Sequence, residues 1–165
     1  MKLKNFIIAL FIIGVAGSFG HFIYKWSGEN TFVGYFFPIN ESTWEHLKLL
    51  FFPTVIFSVF EYFLMKEKPH NFPFIVALSL FIGLISIVTI FYTYSGVLGY
   101  KIEWFNIAIY YISLLIMLIV KAILMSFQFN NKTLNIIALI WIFIMALMFV
   151  FFTYNPPALG IFKEP

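Results

Sequence analysis

Five stretches of this chain stay almost wholly apolar for about 20 positions each, and turn-forming residues separate them. They cover approximately 5–25, 43–65, 72–94, 103–127 and 133–154. The breakers between them are Ser27-Gly28, Lys68-Pro69-His70-Asn71, Ser95-Gly96 with Gly99, and Asn130-Asn131. A hydrocarbon layer about 30 Å thick needs about 20 helical residues to cross it, so each stretch is long enough to span. The pattern predicts an all-α fold: one transmembrane domain over residues 1–165, an integral membrane bundle of about five helices with no room for a separate soluble domain. The connection 27–42 departs from the pattern. Phe32 to Phe37 is too short to span and too apolar to float, so it should lie at the membrane interface or fold back into the bundle.

Composition changes the picture by excluding alternatives. A chain of 165 residues that is 62% hydrophobic, with mean hydropathy +0.98, has more apolar surface than one soluble core can hide, so a lipid bilayer is its expected partner. The net charge of +3 comes from scattered lysines without a basic patch, which argues against nucleic acid. The absence of cysteine removes disulfides, thiol nucleophiles and thiolate metal sites. Every acid is Glu and every base is Lys. With abundant Phe, Ile and Asn, this suggests an AT-rich bacterial source and a place in the bacterial cytoplasmic membrane. Lys2 and Lys4 before an apolar run open like a signal peptide, but the run continues past the small residues of Gly14 to Gly20 without an A-x-A site. A retained first span is expected.

Charge also predicts orientation. With the N-terminus cytoplasmic, the inner loops hold Lys2, Lys4, Lys66, Lys68 and Lys132, and the outer side holds Lys25, Lys101 and Lys163 with Glu29, Glu41, Glu45, Glu103 and Glu164. The excess of Lys on one side favours N-terminus in and C-terminus extracytoplasmic. Trp26, Trp44 and Trp104 then read as an outer aromatic belt. Every Tyr except Tyr62 falls in the outer half, which fits either helix anchoring or a polar-lined outer cavity.

Candidate chemistry concentrates in Pro38 to Pro53, where Asn40-Glu-Ser-Thr-Trp-Glu-His-Leu-Lys48 packs two Glu, one His and one Lys into nine positions. Ser42 and Glu45 fit a capping box, predicting a helix start near Thr43. On that helix Glu41, Glu45 and Lys48 can share one side, with His46 about 100° from Glu45. His21 follows Gly17 by four and Gly14 by seven, so it belongs to the close-packed glycine face of the first helix and not to its lipid side. His21 and His46 could converge with one carboxylate, Glu45 being the first choice, into a two-His, one-carboxylate site for a divalent metal. The competing reading is a helix cap whose Glu45 serves the backbone and whose Lys48 snorkels, with His21 making a helix-to-helix hydrogen bond. Glu41, Glu45, His46 and His21 are the catalytic candidates, and Tyr24, Asn40 and Trp44 complete the candidate ligand-binding set.

Elsewhere, Glu61 and Lys121 should lie at similar depth and form a structural ion pair, or snorkel separately. Ser58, Ser79, Ser86, Thr89 and Ser113 read as helix-packing residues. Nothing polar obviously joins Glu61 to the outer cluster. After Pro156-Pro157 the tail remains apolar at Leu159, Ile161 and Phe162, so it should fold over the outer face near Asn40 to His46 as a lid or plug.

Gly20-His21-x-x-Tyr24-x-x-Ser27-Gly28-Glu29-Asn30, the Asn40 to Lys48 run, and Phe152-Thr-Tyr-Asn-Pro-Pro157 with Ile161-Phe162-x-x-Pro165 carry a resemblance over nearly the whole chain. The chain resembles a bacterial family of small multi-pass membrane proteins of unknown function. The resemblance implies a membrane location and a shared architecture, with no activity. Three functions compete: a protein with an outer pocket for a polar ligand, small molecule or lipid, including a small lipid-active enzyme with a Glu or His general base; a transporter or transporter subunit; and an accessory protein that binds a partner through its glycine face. A midplane of Phe, Ile and Leu ranks the transporter below the first.

Overall fold

The computed structural model describes residues 1–127 and 129–164, apart from the side chain of Glu103. Pro165, the last residue of the closing motif, lies outside the described residues. The elements in chain order are α1 (Leu3–Trp26), α2 (Thr31–Gly34), α3 (Thr43–Leu64), α4 (Phe72–Leu98), α5 (Glu103–Leu124), α6 (Lys132–Tyr154) and a 3₁₀ turn (Gly160–Phe162). All five long helices are apolar enough to cross a membrane. No strand occurs among the described residues. The outward surfaces carry large apolar side chains such as Phe11, Phe63 and Phe143, which are 69%, 72% and 63% exposed. Such a surface is stable only against lipid, and the chain is a multi-pass membrane protein.

Helix ends differ from the sequence expectation in one informative place. Ser95-Gly96 does not stop α4, because Ser95 folds its hydroxyl onto the Phe91 carbonyl at 2.7 Å and stays within the helix. Gly99, at φ +74°, provides the left-handed cap, and its N–H returns to Ser95 O.

Helices α1, α3 and α5 meet through a local device. Pro53 has no N–H, so the Leu49 carbonyl four residues earlier loses its helical donor. Tyr110 on α5 places its hydroxyl 3.4 Å from that oxygen and donates to Ile13 O of α1 at 2.9 Å. The approach depends on Gly17: a Cβ there would overlap the Tyr110 hydroxyl and sit 2.7 Å from Leu49 O. Helix α4 packs most extensively on α5 and also contacts α6 and α3, while α1 lies against α3 and α5. Ile13, Leu50, Leu80, Leu114 and Phe149 form the centre and are fully buried.

The connection between α1 and α3 folds back onto the bundle. Gly28 and Glu29, both at positive φ, turn the chain, and Asn30 caps α2 by accepting from Phe32 N at 2.9 Å. Gly34 is buried beside Tyr154 and Tyr24. The tail also returns: Phe162 packs against Trp44 with ring centres 4.8 Å apart and ring planes tilted by 37°. Trp44 is therefore not part of the aromatic belt. It is 7% exposed, held among Phe149, Phe152 and Phe162, whereas Trp26 and Trp104 point outward.

Candidate functional site

At the end of the bundle where α1 finishes and α3 begins, hereafter the upper end, three ligand-type side chains converge. His21 sits in the last two turns of α1 and His46 in the first turn of α3, while Glu41 lies in the turn just before the Ser42 cap. Glu41 Oε2 is 3.3 Å from His46 Nε2, and Glu41 Oε1 is 3.8 Å from His21 Nε2. The two imidazoles stack with centroids 5.3 Å apart. One ligand atom from each residue can be chosen such that all three lie within 4.8 Å of one another.

The protonation of His46 follows from its other nitrogen. Nδ1 lies 2.9 Å from Ser42 O, and a carbonyl oxygen can only accept, so Nδ1 carries a proton. In the neutral ring Nε2 then presents a lone pair to the Glu41 carboxylate. Two lone-pair atoms at this distance repel unless a cation, either a proton or a metal ion, lies between them. Glu41 is 56% exposed at its side chain. Its carboxyl is held below the ordinary carboxylate value chiefly by the hydrogen bond with His46; partial burial opposes this, and the charges of His46, His21 and Lys25 add to it.

Glu45 does not join this cluster. One residue before His46 on a helix, it faces about 100° away, and it is buried with its carboxylate turned inwards. Glu45 Oε2 accepts from Lys48 Nζ at 2.8 Å and from Ile39 N at 3.0 Å. Lys48 is completely buried and uses all three ammonium protons, the other two going to Gly34 O at 2.9 Å and Thr153 Oγ1 at 2.6 Å. It does not snorkel, because three acceptors reach it inside the bundle. Half of the expected capping box is present: Ser42 Oγ accepts from Glu45 N at 3.3 Å, but Ser42 N bonds Asn40 Oδ1 in place of the Glu45 carboxylate. Asn40 thus shapes the turn that carries Glu41, Tyr24 lies against Gly34, and Trp44 belongs to the core.

At the lower end Lys121 Nζ donates to Glu61 Oε2 and lies 3.4 Å from Ser58 Oγ, with both charged residues buried. Sequence reasoning missed Thr153 and Gly34 as partners of Lys48, since they are 105 and 14 residues away. The available signal was the place of Thr153 inside the Phe152 to Pro157 motif. It also missed Tyr110, whose role depends on the carbonyl freed by Pro53.

No curated protein and no solved structure matches the chain at a significant level. One family model, described as "Family of unknown function (DUF6512)", matches residues 1–165, and the chain belongs to that family.

Proposed function

We propose that the protein binds a divalent transition metal at its upper end through His21, Glu41 and His46, and that this end faces the extracytoplasmic side of a bacterial cytoplasmic membrane. The observation that carries the reading is the convergence of two imidazole nitrogens and a carboxylate within 4.8 Å. Metal–ligand bonds of about 2.0–2.2 Å in a tetrahedral site imply ligand-to-ligand edges of about 3.3–3.6 Å. The distance of 3.3 Å from His46 Nε2 to Glu41 Oε2 already has that length, while the 3.8 Å from His21 Nε2 runs to the other carboxylate oxygen; with one ligand atom from each residue the three lie within 4.8 Å, so the longest edge would shorten by about 1 Å on binding. The Ser42 carbonyl on His46 Nδ1 fixes the tautomer that leaves Nε2 free to ligate, the usual support for a metal-binding imidazole. Lys48 and Lys121 are both engaged elsewhere, so neither competes for Glu41.

Three protein ligands leave a fourth position for water or for an ester or phosphate oxygen entering from the headgroup region. That open position supports a lipid-active enzyme in preference to a purely structural ion. The orientation rests on the excess of Lys in the loops at the lower end. Cobalt substitution tests the donor set directly. Addition of Co²⁺ to metal-free, untagged protein in detergent should produce the visible absorption of a four-coordinate nitrogen and oxygen site, and His21→Ala, Glu41→Gln and His46→Ala should each abolish it. A spectrum that survives in any one of the three variants would remove that residue from the site.

A further inference from the structure

A furrow of about 1210 Å³ runs up the outside of the bundle between α1 and α3. Its α1 wall is the stripe Ile8, Ile12, Ala16 and Phe19, spaced by four, four and three residues so that all four face one side of the helix. Its α3 wall climbs from Leu64 through Phe60 and Ile56 to Phe52. Those 12 residues rise about 18 Å, slightly more than one leaflet's half of a hydrocarbon layer about 30 Å thick. Above Phe52, Phe37 from the connection before α3 takes over as the facing wall. The mouth at the lower end is basic. Lys2 and Lys66 line it with one carboxylate, Glu67; all three are exposed, and neither lysine has an ion-pair partner among the described residues. Glu61 also lines the furrow, but Lys121 balances its charge. Helix α1 starts at this mouth without a side-chain cap and without an acid in its first turn, so its positive pole adds to the two lysines.

We infer that the furrow binds an anionic phospholipid of the lower leaflet, with the phosphate held by Lys2, Lys66 and the start of α1, and one acyl chain laid along Leu64, Phe60 and Ile56 towards Phe52. Charge complementarity selects the headgroup, since a phosphate meets two ammonium groups and a helix N-terminus there. The walls select a hydrocarbon chain over a partner helix. Transmembrane helices dock closely through small residues, and those of α1 are already used: Gly14 faces Tyr111, Gly17 faces the Tyr110 hydroxyl and Leu49 O, and Gly20 faces Leu49 and Phe37. Apart from Ala16, both walls of the furrow are bulky Ile, Leu and Phe, which a flexible chain can follow and a second backbone cannot approach. The site lies at the opposite end of the bundle from His21 and does not depend on a metal there.

The test is native mass spectrometry of the full-length protein in mild detergent, exposed to an equimolar mixture of phosphatidylglycerol and phosphatidylcholine with the same acyl chains. One phosphatidylglycerol per chain should be retained in preference to phosphatidylcholine. Lys2→Gln combined with Lys66→Gln should weaken that retention about 30-fold, about fivefold for each lysine. Lys4→Gln combined with Lys68→Gln removes the same charge from the same end but outside the furrow, and should leave retention within a factor of about two. Ile56→Trp, at an exposed wall position, changes no charge and should lower retention by filling the path of the chain. Equal retention of the two lipids, equal losses in the two double variants, undiminished retention in folded Ile56→Trp, or a lipid-free dimer joined through this face would overturn the inference. The comparison of the two lipids uses unaltered protein and stands even if a variant fails to fold.

Discussion

The pair formed by Lys121 and Glu61 offers a quantitative test of how the lower half of the bundle is held. Glu61→Leu removes the only carboxylate that touches Lys121 among the described residues. The remaining ammonium is 1% exposed, with one hydroxyl at 3.4 Å and the rings of Phe57 and Phe72 at 5.7 and 5.4 Å. The ring contacts exist in both forms and do not replace the lost charge. Leaving one buried charge without its partner costs about 3–5 kcal/mol. For a chain of this length that corresponds to a fall in melting temperature of about 6–20 °C. Lys121→Met should cost a similar amount by orphaning Glu61. The double variant buries no charge and should return to within about 2 kcal/mol of the unaltered protein, because replacing a whole buried pair by apolar side chains is close to neutral. The coupling energy from a double-mutant cycle, measured by thermal unfolding in a mild detergent, is therefore at least about 3 kcal/mol. Additive single effects, or a cost below about 1 kcal/mol for Glu61→Leu, would refute the reasoning, since the two groups would then be solvated independently.

Three other substitutions probe separate parts of the fold. Gly17→Ala should destabilise by about 2–4 kcal/mol, because the new methyl displaces the Tyr110 hydroxyl and leaves Leu49 O without a donor. Gly28→Ala, strained only by its φ of +69° and with nothing within 4 Å, should cost about 1–2 kcal/mol; equal effects at the two positions in thermal melts would contradict the close-approach argument. Thr153→Val should lose about 1–2 kcal/mol and Thr153→Ser much less, since only the hydroxyl bonded to Lys48 matters; indistinguishable melts for the two would remove that bond from the account. In metal-free protein the Glu41 carboxyl titrates below its unfolded value of 4.5, so its contribution to stability is present above that pH and is lost as the pH falls through the lower folded value. The stability difference between the unaltered protein and Glu41→Gln should therefore shrink on acidification below pH 4.5, and a difference that grows there would reverse the assigned sign.

The five helices were legible because hydropathy over about 20 residues is a local property that the bilayer enforces. The start of α3 was legible for the same reason, since Ser42 and the amide it caps are three residues apart. Local patterns misled where a residue had two uses. Ser95-Gly96 can break a helix or continue it, and Trp44 can sit at an interface or in a core; the distant contacts that decide between these uses leave no local trace. Lys48 shows the limit most clearly. Near a helix end a lysine normally snorkels, and beyond Glu45 on the same helix only the return of α2 and α6 supplies the two further acceptors that bury it. At the upper site, helical periodicity put His21 on an inward face and separated His46 from Glu45. It did not select Glu41, because that residue precedes the helix and the turn through Asn40 sets its direction.

Elemental analysis of the untagged protein, purified without chelator and exchanged against limiting Zn²⁺, tests the central claim most directly. The account predicts one metal ion per chain, lost in Glu41→Gln and in His46→Ala but kept in Glu45→Gln, whose carboxylate faces Lys48. A metal-free protein, or a metal content that falls with Glu45→Gln and not with Glu41→Gln, would contradict it.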